Sequence, residues 1–181
     1  MKIKKWMILL LTAVFALSAL TGCSGETATG SYSSFTANTL DGGTFTQDDI
    51  KSKDLTIINY WGMFCGPCRS EMPDLAAYAK ALPENVQLIT ICIDAFDDLE
   101  GTREFLNSCS YEGVTLVSGD ESIASVVNQV QSFPTTVFVN SRGEVTGETI
   151  VGTQPDLAAA FTAAANKVLK AEGKAEISLA E

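Results

Sequence analysis

The sequence predicts an α/β domain built on a mixed β-sheet. Short apolar, β-branched runs alternate with stretches of helical spacing, which is the pattern of strands joined by crossover helices. Near the end of the chain, two strands joined by a tight turn precede a last helix and add antiparallel pairing. The 181 residues suffice for one domain, predicted over residues 35–172, and show no internal repeat or second-domain linker.

Composition and charge exclude several classes of function. Hydrophobic residues make up 46% of the chain and charged residues 19%, which supplies enough apolar side chains for a packed core. A formal net charge of −10 argues against nucleic acid as a partner, because nucleic acids select basic surfaces. The chain has no histidine, which excludes Ser-His-Asp and Cys-His catalysis and His-ligated zinc or haem.

Residues 1–22 are typical of a secretory signal peptide. Three lysines form a positive start, and an apolar run of about 15 residues follows, which is short for a membrane-spanning helix. The run ends in Leu20-Thr21-Gly22-Cys23, which resembles the bacterial lipobox. That resemblance implies that Cys23 is diacylated and anchors the exported protein to a membrane. The alternative is an ordinary signal peptide with an incidental cysteine.

Residues 23–34 join this candidate lipidation site to the domain. Residues 24–34 are rich in Gly, Ser and Thr and show no apolar period, which predicts a flexible tether. A segment of this length reaches at most about 35–40 Å when extended. The folded part is therefore expected to work near the membrane face.

The domain is predicted to begin with a β-hairpin. Residues Phe35–Leu40 and Thr44–Thr46 flank Asp41-Gly42-Gly43, whose glycines suit a turn that requires positive φ. Leu55–Tyr60 follows as a short apolar, β-branched run, which is typical of a buried strand.

A helix, a strand and a second helix are predicted next. The first helix covers about Gly66–Leu82, and Pro73 inside it is expected to cause a kink. Val86–Asp94 is a second buried strand, and Leu99–Cys109 has the apolar spacing of a helix.

The last part of the domain contains three strands and two helices. Val114–Val117 is a weak strand and Glu121–Asn128 a short helix, and Ser141-Arg142-Gly143 turns the strand Thr135–Asn140 into Glu144–Val151. The final helix starts near Gln154, and its apolar residues recur on one face. The tail, residues 173–181, is expected to fray.

The motif Cys65-Gly66-Pro67-Cys68 carries most of the chemical information. It follows a predicted strand and opens a helix, which places the first sulfur at the helix N-terminus. Unpaired N–H groups and the helix dipole stabilise an anion there and lower the thiol pKa. The second cysteine lies one turn further on, so the pair can exchange two electrons with a substrate disulfide.

Two other interpretations of the cysteine pair are weaker. A structural zinc site needs four ligands, and the remaining candidates, Cys92 and Cys109, are 17 residues apart in a chain without histidine. A static structural disulfide is the other alternative. No metal site is therefore predicted, and no cofactor beyond the cysteine pair.

The sequence resembles the thioredoxin superfamily, and in particular its membrane-anchored, extracytoplasmic thiol-disulfide oxidoreductases of the TlpA and ResA type. The resemblance covers about residues 35–168. It rests on these segments: Asn59-Tyr60-Trp61, Cys65-Gly66-Pro67-Cys68-Arg69, Glu71-Met72-Pro73 and Phe133-Pro134-Thr135-Thr136. It implies a thioredoxin-like fold, with a central mixed sheet flanked by helices, and dithiol exchange as the activity.

The resemblance also implies roles for single residues. Cys65 would be the exposed nucleophile and Cys68 the buried resolving thiol. Pro134 would be a cis-proline that leaves the Phe133 backbone free to pair with substrate; the alternative is a trans proline at a strand start. Glu71 would tune the cysteine pKa values, unless it is an ordinary solvated glutamate.

A substrate-binding set surrounds the predicted site: Trp61, Phe64, Gly66, Pro67, Phe133 and Thr135. Trp61 suits the core almost equally well. Phe133 is bulkier than the residue usual in the family before the cis-proline, and Asn59 replaces an aspartate found in cytosolic thioredoxins, so Glu71 is the better candidate for proton transfer.

Cys92 and Cys109 lie outside the family's core motif. Cys92 falls near the end of a strand, and Cys109 falls at the far end of the next helix. That helix is about 15 Å long, so the two sulfurs are expected at its opposite ends. They are predicted to be two inert buried thiols, with a second disulfide or a relay role as alternatives.

The sequence thus predicts an extracytoplasmic, lipid-anchored disulfide reductase. The Gly-Pro pair between the cysteines is that of thioredoxin, whose reduction potential is about −270 mV. The oxidant DsbA has a potential of about −120 mV. Expected partners are protein disulfides and a membrane electron donor, the expected state is a monomer, and the family's tasks include cytochrome c maturation and surface-protein thiol repair.

Two alternatives from other functional classes remain. A redoxin-type thiol peroxidase needs its cysteine in a Pro-x-x-x-Thr-x-x-Cys context, which the residues before Cys65 do not match. A copper-binding module on this scaffold pairs Cys-x-x-x-Cys with a distal histidine, whereas this chain has the shorter spacing and no histidine.

Overall fold

The computed structural model describes residues 31–179. The predicted signal peptide, the candidate lipidation site Cys23 and tether residues 24–30 lie outside these residues. The strands are β1 (Thr36–Thr39), β2 (Thr44–Thr46), β3 (Leu55–Trp61), β4 (Val86–Cys92), β5 (Thr115–Gly119), β6 (Thr135–Asn140) and β7 (Val145–Val151). The helices are α1 (Gln47–Lys51), α2 (Gly66–Ala81), α3 (Leu99–Ser108), α4 (Glu121–Val127) and α5 (Leu157–Ala171).

The seven strands of the described residues form one mixed sheet in the order β2-β1-β5-β4-β3-β6-β7. β3 pairs in parallel with β4, and β4 with β5, whereas the other neighbours are antiparallel. The hairpin β1–β2 is confirmed, with Gly42 at φ 83° in its turn, a conformation that glycine adopts without steric cost. The sheet and its flanking helices confirm the predicted thioredoxin-like α/β fold.

Side chains of the central strand β3 alternate between two cores, because successive residues of a strand point to opposite faces. Ile57 and Trp61 pack into a core completed by α2 and α5. Ile58 and Tyr60 pack into a second core, to which α1 and α4 contribute. The sheet is thus covered on both faces, and the carboxyl end of β3 delivers the chain to the start of α2.

Both ends of the predicted domain required correction. Ser31–Ser34 is not tether: Tyr32 is buried, donates its N–H to the carbonyl of Gly143 at 2.6 Å and hydrogen-bonds through its hydroxyl with Tyr60. A glycine is required at position 143 because a Cβ there would lie 2.6 Å from the Tyr32 backbone.

The tail does not fray over its described part. Ile177 is buried in the first core, and its N–H and carbonyl pair with the side-chain amide of Asn166 at 2.6 and 3.0 Å. Lys174 forms an ion pair with Asp54 at 2.7 Å. The prediction failed because these contacts join residues that are distant in sequence.

Smaller differences concern the helices. α2 continues as a helix through Pro73 to Ala81. α5 begins at Leu157 rather than near Gln154, because the Asp156 side chain caps it by accepting the N–H of Ala159 at 2.9 Å. The short α1 was not predicted. Within residues 31–179, no helix is long and apolar enough to cross a membrane.

Candidate active site

Cys65 occupies the N-terminus of α2. β3 ends at Trp61, and Cys65 is the N-cap residue of the 16-residue helix that follows. Its Sγ accepts a hydrogen bond from the backbone N–H of Cys68 at 3.2 Å. Pro67 lies in the first turn, where its missing N–H leaves no helical bond unmade, and that turn carries no acidic side chain. The free N–H groups and the helix dipole therefore act on the Cys65 sulfur.

The two cysteines of the motif form a disulfide, with their Cα atoms 5.3 Å apart. Cys65 is 7% exposed and Cys68 2%. The expected order of accessibility holds, but the expectation of an exposed Cys65 is wrong for the disulfide form. In this form the Cys65 side chain packs in the first core.

An apolar rim lies beside the disulfide. Phe64, directly before Cys65, is 67% exposed, and its ring meets that of Phe133 edge-on at 6.1 Å between centroids. Gly66 and Pro67 are also exposed. The Phe133–Pro134 peptide bond is cis, and the Phe133 backbone forms no hydrogen bond with any residue of the range 31–179.

Two members of the predicted substrate-binding set are interior residues instead. Trp61 is 0% exposed and packs against Phe105 at 5.7 Å, so it supports the site from within the core. Thr135 is buried in β6, paired with Tyr60 and Val151 on its two sides, and its hydroxyl donates to the carbonyl of Ser132 at 2.8 Å. Neither side chain presents a surface to a substrate.

Glu71 is a buried carboxyl group one turn beyond Cys68. It is 7% exposed, and its Oε2 has no hydrogen-bond partner among the described residues. Burial raises the pKa of Glu71 to about 7, although a hydrogen bond from the Gln154 backbone partly opposes this shift. The side chain lines a cleft together with Pro67, Ser70, Asp74, Thr153 and Gln154. The alternative of an ordinary solvated glutamate is therefore wrong.

Asp94 belongs to the site but was missed by the sequence analysis. Its carboxylate accepts the backbone N–H of Met63 at 2.8 Å and of Phe64 at 3.1 Å. These bonds tie the loop after β4 to the loop that leads into Cys65. A signal existed in the position of Asp94, since the carboxyl ends of neighbouring parallel strands meet at one edge of the sheet.

The side chain of Arg69, in the first turns of α2, lies over a pair of aromatic rings. The guanidinium carbon of Arg69 lies 5.1 Å from the centroid of the Phe105 ring, which contacts Trp61 on β3. Asn59 is buried and donates through its amide to the Thr136 hydroxyl at 3.0 Å, so the position where cytosolic thioredoxins carry an aspartate holds a neutral hydrogen bond here.

Cys92 and Cys109 are both free thiols. Cys92 ends β4 and is buried, whereas Cys109 is half-buried, which corrects the prediction that both are buried. Burial, followed by the nearby Asp94, raises the pKa of Cys92 to about 12, so it stays protonated at neutral pH. No group of acidic or cysteine side chains in residues 31–179 is arranged to hold a metal ion.

Comparison with known proteins agrees with this geometry. The AhpC/TSA family matches residues 30–148. The thioredoxin-like protein YneN of Bacillus subtilis is 26% identical over 112 residues, which cover 61% of this chain and 64% of YneN. The thiol-disulfide oxidoreductase ResA of Bacillus thuringiensis is 27% identical over 121 residues, which cover 66% of this chain and 67% of ResA. The chain thus spans about two thirds of these relatives.

Solved structures show the same fold. A secreted thiol-disulfide isomerase from Corynebacterium glutamicum superposes with a TM-score of 0.62 at 16% identity, covering 76% of this chain and 84% of the other. The fold and the cysteine pair define a thioredoxin-like protein of the thiol-disulfide oxidoreductase class. The chain belongs to the AhpC/TSA family and resembles its TlpA- and ResA-like members.

Proposed function

We propose that the protein catalyses thiol–disulfide exchange through Cys65 and Cys68 and works as a disulfide reductase outside the cytoplasm. One observation carries the proposal: the Cys65 sulfur lies at the N-terminus of a 16-residue helix and accepts the N–H of Cys68, its disulfide partner. That arrangement stabilises a thiolate and supplies the thiol that resolves the intermediate.

The reaction proceeds in two balanced steps. The Cys65 thiolate attacks a sulfur of the substrate disulfide; a Cys65–substrate disulfide forms, and the leaving sulfur takes a proton. The Cys68 thiolate then attacks the Cys65 sulfur, re-forms the Cys65–Cys68 bond and releases the second substrate sulfur. Two electrons pass to the substrate, and an external electron donor must reduce the pair again. We expect Glu71 to supply or accept a proton in these steps.

The direction of electron flow follows from the residues between the cysteines. Gly66 and Pro67 are those of thioredoxin, a reductant, rather than of the oxidant DsbA. Reduction of insulin disulfides by the chemically reduced protein, with Cys65→Ser as the inactive control, tests the activity. A Cys65–Cys68 potential as oxidising as that of DsbA would contradict the reductase assignment.

Protein disulfides suit the surface around the site. Phe64 offers an exposed aromatic ring, and the unpaired Phe133 backbone can hydrogen-bond an extended substrate segment. Pro134 takes the part of the family's cis-proline here. We expect the protein to act as a monomer, which sedimentation of the purified chain would test.

The place of action rests on the N-terminal sequence. A lipobox-like Leu20-Thr21-Gly22-Cys23 supports export and lipid anchoring, and the similar Corynebacterium glutamicum structure is of a secreted protein. A membrane donor would then supply electrons, and apocytochrome c thiols or oxidised surface proteins are the candidate substrates. Mass spectrometry of the mature N-terminus tests the anchor: a diacylated Cys23 supports it, and an unmodified one contradicts it.

A redoxin-type thiol peroxidase, the other enzyme class considered from the sequence, is the second candidate. Against it, Gly62 and Ile58 stand where the peroxidase pattern has threonine and proline, and Cys65 is bonded to a near neighbour. Peroxide turnover that Cys65→Ser abolishes would establish this candidate over the first.

A further inference from the structure

We propose that Asp94 is a positioning residue for Cys65: its carboxylate fixes the turn that leads into this cysteine and keeps a negative charge close to its sulfur. The inference rests on the proposed function for its catalytic consequence. The effect of Asp94 on the reactivity of Cys65 can be measured without turnover.

Three donors converge on this carboxylate. Oδ1 accepts from the Met63 N–H at 2.8 Å, and Oδ2 accepts from the Phe64 N–H at 3.1 Å. The Cys92 thiol also donates to Oδ1, with 3.3 Å between sulfur and oxygen. Hydrogen bonds to an ionised acceptor are stronger than neutral ones, so the carboxylate holds both backbone groups at once.

Backbone hydrogen bonds on both sides of Asp94 hold the loop that carries it. Cys92 pairs with Trp61 in the parallel ladder, and the N–H of Ile93 donates to the Trp61 carbonyl at 3.0 Å. On the other side, the Asp94 carbonyl accepts the N–H of Asp97 at 3.1 Å. The two loops at the carboxyl ends of β3 and β4 are therefore joined through Asp94.

A side chain at Gly62 would crowd both the Phe64 ring and the Asp94 carboxylate. A Cβ at this position would lie 2.6 Å from the Phe64 ring and 3.2 Å from Oδ1 of Asp94. Glycine thus permits the close approach that brings the Asp94 carboxylate to the backbone before Cys65. The contact between the two loops therefore depends on the glycine at position 62 as well as on the carboxylate of Asp94.

The charge of Asp94 acts on the leading sulfur. Phe64 precedes Cys65, so the covalent path limits the distance from the carboxylate to the Cys65 sulfur to about 10 Å. Other charges near the start of α2 are the Arg69 guanidinium, which lies over Phe105, and the Glu71 carboxyl, which lines the cleft beside Gln154. Asp94 disfavours the thiolate, and a less stable thiolate makes the reduced pair a stronger reductant.

Asp94→Asn tests the inference, with Asp97→Asn as the matched control, since Asp97 is exposed and its side chain forms no hydrogen bond within residues 31–179. The reduced proteins are alkylated across a pH series, and modification of Cys65 is followed by peptide mass spectrometry. Equilibration with a dithiol of known potential is the second readout.

The expected result is alkylation of Cys65 about threefold faster below neutral pH in Asp94→Asn, as removal of one charge at this distance predicts. The potential of its cysteine pair becomes less negative, whereas Asp97→Asn stays close to the wild type. Asp94→Ser, also uncharged, must shift both readouts in the same direction. Variants of Asp94 that match Asp97→Asn in both readouts would overturn the inference.

These outcomes are separable from the proposed function. A wild-type protein that reduces no protein disulfide would contradict the proposed function while the Asp94 measurements could still succeed. Conversely, the wild type could reduce protein disulfides efficiently while the Asp94 variants keep the wild-type alkylation rate of Cys65 and the wild-type potential. That result would leave the proposed function intact and overturn the inference.

Discussion

The backbone N–H of Cys68 points at the sulfur of Cys65, with 3.2 Å between nitrogen and sulfur. This contact makes the two cysteines chemically different, although they are joined in one disulfide. Cys65 lies at the helix N-terminus, where a negative charge is stabilised, and Cys68 lies inside the first turn with almost no exposed surface. One sulfur is therefore suited to attack and the other to resolution.

This difference predicts distinct results for two serine variants. Cys65→Ser should abolish exchange, because no nucleophile remains at the helix N-terminus. Cys68→Ser should accumulate a mixed disulfide through Cys65, because the resolving thiol is missing. Non-reducing electrophoresis and mass spectrometry check both results. Full turnover by Cys68→Ser would show that the roles are wrongly assigned.

Glu71 predicts a pH dependence of stability. Its pKa is raised to about 7 in the folded protein, so the native state binds its proton more tightly than the unfolded chain does. Its contribution to stability is complete below about pH 4.5 and is lost as the pH rises to about 7. Glu71→Gln should therefore be more stable than the wild type at pH 8, by on the order of 2 kcal/mol, with a smaller advantage at pH 4.

The matched control for this experiment is Glu104→Gln, because Glu104 is exposed and lies outside the cleft that Glu71 lines. Denaturant unfolding of the disulfide form at both pH values gives the free energies. If Glu71→Gln and Glu104→Gln show the same small change with pH, the carboxyl group of Glu71 is not held protonated by burial.

Phe64 predicts a dependence on the kind of substrate. Its exposed ring beside the disulfide should contact a protein substrate but add little for a small disulfide. Phe64→Ser should lower kcat/KM for a protein disulfide about fivefold to tenfold, as expected when an aromatic contact is lost. Phe96→Ser, which removes another exposed ring after β4, is the control. An equal loss for both kinds of disulfide would argue against a docking role.

The docked tail predicts a loss of stability at Ile177. Its side chain is buried, so Ile177→Ala should lower the free energy of unfolding by about 2 kcal/mol, the lower end of the usual range because a chain end can relax. Ser178→Ala, at the exposed next position, should change little. Thermal and denaturant unfolding compare the two. Equal stability of both variants would mean that the tail does not pack on the domain in solution.

Features determined by local sequence were predictable. The hairpin turn at Gly42 and the start of α2 at Cys65 depend on residues within a few positions of each other, so their patterns are visible in the chain. The chemistry of the cysteine pair was predictable for the same reason. A helix N-terminus and a partner one turn away are both encoded in four consecutive residues.

Features determined by distant contacts were not predictable in the same way. Asp94 reaches the site because β3 and β4 are adjacent in the sheet, some 30 residues apart in sequence. The Tyr32–Tyr60 contact and the pairing of Asn166 with Ile177 likewise join separate elements. The burial of Glu71 depends on the segment around Gln154, which packs beside α2 only in the folded chain.

Titration of the Cys65 thiol in the reduced protein tests the central claim most directly. Thiolate absorbance, with the Cys65→Ser variant subtracted to remove the other cysteines, gives its pKa. We predict a value clearly below about 8.5, the ordinary value for a free cysteine, because the helix N-terminus favours the anion. A Cys65 that stays protonated into the alkaline range would contradict the account.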